Sequence, residues 1–305
     1  MSLSACEGYN LLMSKLVFQL YPPPFQEKPL KGLYLDQQLY NLGRKDNPFV
    51  YANFLSSLDG RIAVDDVKSG RSYLPENLTT PDDFRLFLEL HAQADCLITH
   101  GGYLRALAEK RLGNILQVGR YPDTEDLVLW RKENGLKPQP AIVIASASLD
   151  FTMPRDIHQF GQEVFIVTGN SADRRSVEYW EKRDFKVLRA GTERWVEGRP
   201  LVSILGKLGY KSIYLIAGPS MLDTMVRDRQ LDRLYQTLSH QLMGGESFHT
   251  LLPGPVLGAA GLLKLRRLYY DSSAANGVGQ WFSQFEMFPG SVDDIVSEEK
   301  ETIQQ

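Results

Sequence analysis

From Pro48 onward the chain alternates apolar runs of four to seven residues with amphipathic stretches. That rhythm belongs to an α/β domain, in which buried strands read as continuous hydrophobic segments and helices cover them. The strand-like runs are Phe49 to Leu55, Cys96 to Thr99, Ala141 to Ala145, Val164 to Thr168, Ser212 to Ile216 and Leu234 to Leu238. Helices are predicted over Pro81 to Ala94, with Thr80 as N-cap and Pro81 at the first helical position, and over Tyr103 to Lys110, Pro200 to Leu208 and Ser220 to Arg229. Leu262 to Tyr270 and Gln280 to Phe288 alternate like antiparallel strands, with Ala274 to Gly279 as their turn. Together these predict a mixed, mostly parallel sheet closed by a C-terminal antiparallel hairpin.

The ends of the chain differ in character. Up to about Asn47, the patch Leu16 to Leu20 runs into Tyr21-Pro22-Pro23-Pro24, and successive prolines cannot continue a helix or a central strand. Residues 1–47 are therefore read as an appended arm, and Tyr21 to Phe25 as either a stiff connector or a polyproline segment that docks a partner. The domain proper is expected over 48–290, and the acidic stretch 291–305 as a solvated tail. No basic region followed by an apolar stretch opens the chain, so no secretory leader is expected. The charge-free run Ser247 to Leu263 contains Pro253, Pro255 and several glycines and is read as a loop plus a buried segment, not a membrane span.

Composition removes several function classes. With 34 Lys+Arg against 37 Asp+Glu, the net charge of -3 gives no basic field for nucleic acid or acidic lipid. Cys6 and Cys96 are the only cysteines and lie far apart, which excludes a disulfide framework, a Cys-rich zinc site and a C-x-x-C redox pair. A cytoplasmic protein is expected. The five histidines form no i, i+4 pair, so no metal is expected, and neither a G-x-G-x-x-G nor a P-loop fingerprint is present.

Two glycine-bearing strand-to-helix junctions remain: His100-Gly101-Gly102 and Ala217-Gly218-Pro219-Ser220. Helix N-termini behind small residues expose N–H groups to a phosphate, so the pair suits one dinucleotide; close packing turns are the alternative. The third feature is Ser57-Leu58-Asp59-Gly60-Arg61 after the first domain strand, which puts a hydroxyl and a carboxylate where open α/β sheets bind ligands. Asp-Gly is also a common turn dipeptide, and both readings stand on the residues alone.

The segment from Pro48 through Asn53 and on to Ser57-Leu58-Asp59-Gly60-Arg61-Ile62-Ala63 resembles the opening of the riboflavin-biosynthesis pyrimidine reductases, both stand-alone enzymes and the reductase half of the bifunctional deaminase-reductase. The later junctions, Leu231-Asp232 and Gly244-Gly245 follow in matching order, so the resemblance covers about Pro48 to Pro289. It implies a three-layer α/β/α fold of the dihydrofolate-reductase kind, a homodimer, and an NADPH-dependent oxidoreductase. The implied substrates are 5-amino-6-(5-phosphoribosylamino)uracil or the 2,5-diamino-6-ribosylamino-pyrimidinone 5'-phosphate. Carried over, Asn53 and Asp59 are catalytic, Ser57, Arg61 and Arg111 hold substrate, and Gly101, Gly102, Thr168, Gly218, Pro219 and Ser220 meet the cofactor. No deaminase half is expected, since it needs a H-x-E and P-C-x-x-C zinc signature that Cys6 and Cys96 cannot supply.

The chain also departs from the family pattern. His100 and Tyr103 replace a glycine and a threonine, Ala217-Gly218-Pro219 replaces Glu-Gly-Gly, the acidic pair after the first junction is missing, and Arg111 aligns only with a one-residue insertion. These changes keep open a paralogue acting on another heterocycle and a non-catalytic nucleotide-binding homologue.

Overall fold

The structure, a computed structural model, describes residues 15–66, 72–75, 78–158 and 160–287. In chain order it contains β1 (Leu16–Tyr21), β2 (Gln26–Pro29), β3 (Phe49–Ser57), β4 (Ala63–Asp65), β5 (Ser72–Tyr73), α1 (Pro81–Ala92), β6 (Cys96–His100), α2 (Gly101–Ala108) and α3 (Glu125–Glu133). There follow β7 (Ala141–Ala145), β8 (Val164–Thr168), α4 (Arg174–Glu181), β9 (Lys186–Arg189), α5 (Gly198–Lys207), β10 (Ser212–Leu215), α6 (Pro219–Arg227), β11 (Arg233–Ser239), β12 (Phe248–His249), β13 (Leu263–Asp271) and β14 (Gln280–Met287).

One 11-stranded sheet has the order β2-β1-β13-β14-β11-β3-β10-β6-β7-β8-β9. From β11 to β9 every neighbouring pair is parallel, and β14, β13, β1 and β2 extend the sheet antiparallel. The mixed, mostly parallel sheet with its closing hairpin is thus as expected. Helices α5 and α6 cover one face through Leu201, Leu205, Leu222 and Met225, packed on Ala52, Ile98 and Val143. On the other face α1 packs Leu86 and Leu90 on Tyr51, Leu97 and Tyr214, while α2 and α4 pack Leu104 and Trp180 on Ile142 and Ile144. The three-layer arrangement follows from strands that bury both faces.

The N-terminal segment corrects the sequence reading. Residues 15–47 are not an appendage: β1 pairs with β13 and β2, and Val17, Leu33, Tyr34 and Leu39 are buried under the α1 side of the sheet. The prolines end β1 and carry the turn into β2, a place where no ladder N–H is needed. The run 247–263 contains no buried residue: it holds β12, a 3-10 turn over Gly258–Gly261 and half-buried or exposed loop that leads into β13 at Leu263. Helix boundaries shift by up to two residues, with α2 and α6 starting at Gly101 and Pro219, inside the junctions themselves. Phe288 and the 291–305 tail lie outside the described residues.

Candidate functional site

All seven parallel strands end on one rim. The chain lays down β3, β6, β7, β8 and β9, then returns to insert β10 between β3 and β6. Leu215, the last residue of β10, is level with Ala52 and Ile98, yet β3 runs on to Ser57 and β6 to His100. The short central strand leaves a notch in the rim at the point where strand order reverses, which is where open α/β sheets take their ligands.

Both glycine junctions meet there. His100, Ser146, Ala147, Trp195, Gly218, Ser220 and Thr224 line a cavity of about 500 Å³ on the α5/α6 side. A β-carbon on Gly218 would approach His100 Nε2 at 3.7 Å, so the ends of β6 and β10 are in near contact. His100 and Gly218 are the N-caps of α2 and α6, and neither helix start has a side-chain capping bond. Their N–H groups and positive dipole ends are left for an anion. Burial, aided by Arg105, lowers the His100 pKa and keeps the ring neutral. The glycines serve different ends: a β-carbon at Gly101 would collide with Ser146 Oγ at 2.9 Å, whereas at Gly218 the space is open.

At the mouth of β3 the chain turns sharply, with Gly60 N–H donating to Ser57 O and Gly60 at φ +79°, a region that favours glycine. Ser57 Oγ donates to Asp59 Oδ1 (2.5 Å) and accepts from Arg61 N–H (3.0 Å), and Arg61 Nη1 donates to Asp59 Oδ2 (2.5 Å). Asp59 also accepts the Met243 and Gly244 N–H groups, and the Arg61 guanidinium sits 4.2 Å over the Phe248 ring. These bonds, led by Ser57, hold Asp59 far below the usual carboxylate range. Ser57, Asp59 and Arg61 therefore act as a fixed tie between the β3 mouth and the chain after β11. Because its pKa is depressed, Asp59 contributes stability above its unfolded pKa, and that contribution is lost only as pH falls into strong acid. In an Asp59→Asn variant the Met243 and Gly244 amides are expected to exchange hydrogen at least tenfold faster at neutral pH; unchanged protection would show that the carboxylate is not the tie.

Residues 48–271 match the RibD C-terminal domain. The chain belongs to the RibD C-terminal domain family. Membership carries the reductase class, and solved structures share the fold. A pyrimidine reductase-like protein of Corynebacterium diphtheriae is 18% identical with a TM-score of 0.59, covering 80% of this chain and 94% of that one. The riboflavin biosynthesis reductase Rib7 of Saccharomyces cerevisiae is 14% identical (TM-score 0.52; 84% and 99% covered). Acinetobacter baumannii RibD is 15% identical (TM-score 0.54), with 80% of this chain covered but only 58% of that protein. Among curated proteins the chain has no match.

For this member of the RibD C-terminal domain family, the structure gathers Gly218, Pro219 and Ser220 with His100 in the cavity; Gly101 and Gly102 open α2 at the same strand end without lining it, and Ser57, Asp59 and Arg61 are engaged with Met243, Gly244 and Phe248 at the β3 mouth and do not line it either. Asn53 lies on the α1 side of the sheet, next to the notch. Thr168 is not gathered: Val167 packs toward α5 and α6, so Thr168 points to the opposite face and lines no part of the cavity. Arg111 stands past the far end of α2, ion-paired with Glu109 at 2.6 Å, so it belongs to that helix's surface and not to the mouth. Ser146, Trp195 and Thr224 escaped the sequence reading. Ser146 follows an apolar strand and was findable by its place at a strand end; Trp195 sits in a loop without periodicity. Among the described residues no cluster could hold a metal, and no helix is long and apolar enough to cross a membrane.

Proposed function

We propose that this chain is an NADPH-dependent reductase of a pyrimidinone carrying a ribosylamino 5'-phosphate, acting as a homodimer. The convergence of two uncapped helix starts on one cavity, directly beside the notch that leads to Asn53, carries this reading. NADPH, when bound, supplies the hydride. The chain's part is to bind and position: the N–H groups at the starts of α2 and α6 face the diphosphate, Ser220 provides the first backbone donor after Pro219, and neutral His100 closes the floor between them. For the homodimer, the support is the apolar outer face of the antiparallel strands, where Phe18, Tyr270 and Trp281 are in register and Leu16, Phe18 and Trp281 are exposed.

A second cavity of about 790 Å³ lies between α2 and α4 and starts at Ser148, the residue after Ala147 of the first cavity. Arg105, Arg175, Ser148, Ser176 and Tyr179 line it, together with the acids Glu109 and Asp150, and the Arg183 guanidinium covers one face of the Tyr179 ring. Guanidinium and hydroxyl groups suit a phosphate monoester, and an exposed tyrosine suits a base, which favours the phosphorylated dinucleotide over NADH. Arg175→Ala is expected to weaken NADPH binding about tenfold, or about 1.4 kcal/mol, and to leave NADH binding unchanged. Equal weakening of both would remove the reason for preferring NADPH.

The deciding experiment is titration of the purified chain with NADPH and NADH, read by nicotinamide fluorescence and thermal shift. At about a hundred times its dissociation constant, a ligand stabilises the folded chain by roughly 2.7 kcal/mol. Binding of NADPH with oxidation in the presence of the pyrimidine phosphate is the expected result; binding of neither nucleotide overturns the reading.

A further inference from the structure

The cavity between the two helix starts is short of charge. Among the described residues that line it, His100 is the only one that can become a cation, and no lysine, arginine, aspartate or glutamate joins it. A dinucleotide brings two negative charges on its diphosphate. In this cavity their attraction rests on the two helix dipoles and on whatever charge His100 can take.

The imidazole stands between those two helix starts. A β-carbon on Gly102, in the first turn of α2, would lie 2.9 Å from His100 Nδ1, and one on Gly218, the N-cap of α6, would lie 3.7 Å from Nε2. One ring nitrogen is thus beside each helix, and neither hydrogen-bonds to another described residue. His100 closes β6 in extended conformation (φ -140°, ψ 158°) and pairs with Ala145 of β7, so the sheet fixes where the ring stands. Burial first, then Arg105 of α2, holds its pKa below the ordinary value. The first turn of α6 and the end of β7 present no acid or base to the cavity. From the loop into α5, the Arg194 guanidinium lies 5.4 Å over the Trp195 ring.

We propose that His100 takes up a proton from solvent when a diphosphate enters the cavity, so that the chain binds its dinucleotide more tightly as the pH falls from about 8 to about 6. This deepens the NADPH reading above and rests on it. A neutral ring has one N–H and one lone pair, so it can offer a donor beside only one helix start; the imidazolium offers a donor beside both. An anion within about 4–6 Å favours the charged ring. The proton settles on the nitrogen that held the lone pair, which then donates to a phosphate oxygen in a charge-assisted bond. No covalent bond of the cofactor changes. Because the ring titrates at higher pH in the complex than in the free chain, the complex holds one proton more between those two points. Affinity therefore rises as pH falls through that window and is level on either side of it.

The test titrates the full chain with NADP+, the acid-stable form of the cofactor, by calorimetry at about pH 8 and about pH 6. Buffers of different ionisation heat count the protons taken up, and roughly one per NADP+ is expected from His100. The gain in affinity at the lower pH is expected to be about tenfold larger in the wild type than in His100→Gln, whose amide donates but takes no proton. The 2'-phosphate of the cofactor itself titrates at about 6 and cancels in that comparison. If the glutamine variant does not fold, proton NMR of the wild type decides: the His100 ring signal must titrate at higher pH with NADP+ than without it. Equal pH dependence in the two proteins, or a His100 titration that NADP+ does not move, overturns the role of His100 and leaves the cofactor reading standing. Absence of NADP+ binding at both pH values overturns the cofactor reading and this inference with it.

Discussion

Replacing Gly218 by valine is expected to abolish NADPH binding, by at least a hundredfold in affinity, with little change in melting temperature. The residue sits at φ -72° and ψ -177°, an extended conformation that a β-branched residue before a proline adopts readily. A β-carbon there meets only His100 Nε2, at 3.7 Å, an ordinary contact. The fold has no need of glycine at this point; the cavity does, because the isopropyl group would project into the space between the two helix starts. Fluorescence titration alongside thermal melting checks both halves. Retained affinity would mean that the dinucleotide lies elsewhere. Gly101→Ala is the contrasting case, since its β-carbon strikes Ser146 and Phe151 and the cost falls on folding.

The largest stability effect is expected at Arg131. This arginine of α3 is 1% exposed and donates to Ala92 O and Ala94 O at 2.8 and 2.9 Å, and from two nitrogens to Lys137 O at 2.9 and 2.7 Å. It thereby satisfies the carbonyls at the end of α1 and fixes the entry into β6. Burial lowers its pKa to about 10, which still leaves it charged at neutral pH. Arg131→Ala strands two buried carbonyls and a part-buried third and opens a void, and a loss of about 3–5 kcal/mol is expected. For a chain of this size that is a fall in melting temperature on the order of 10 °C. Urea unfolding measures it directly, and a loss below about 1 kcal/mol would mean that water replaces the guanidinium.

The parallel core was legible because strands buried on both faces cannot hide their composition: β7 is apolar throughout, β6, β8 and β10 carry polar residues only at an end, and β3 is broken by Asn53 alone before its two closing serines. Edge positions lack that signal. β9 reads Lys186-Val187-Leu188-Arg189, and β1 is recognisable only by its partner β13, 250 residues away in sequence. At the site, glycines after strands announced the two junctions. The burial of Asp83 was not legible, since Pro81-Asp82-Asp83 after a threonine cap reads as a dipole-matched helix start facing solvent. Arg105 and Arg175 share a cavity only because β7 and β8 bring α2 and α4 side by side. Asp59 illustrates the reverse, a recognisable motif residue whose oxygens the fold has already engaged.

The late insertion of β10 has a consequence for biosynthesis. Until residues 212–215 emerge from the ribosome, the facing edges of β3 and β6 have no partner strand between them. At ordinary elongation rates of about 5–20 residues per second, the stretch from the end of β6 to β10 takes roughly 5–20 s to make. For that interval the nascent chain exposes two hydrophobic strand edges, the condition under which chains mispair or recruit chaperones. The same strand fills the gap in the rim between β3 and β6, and the junction into α6 that lines the cavity follows it directly.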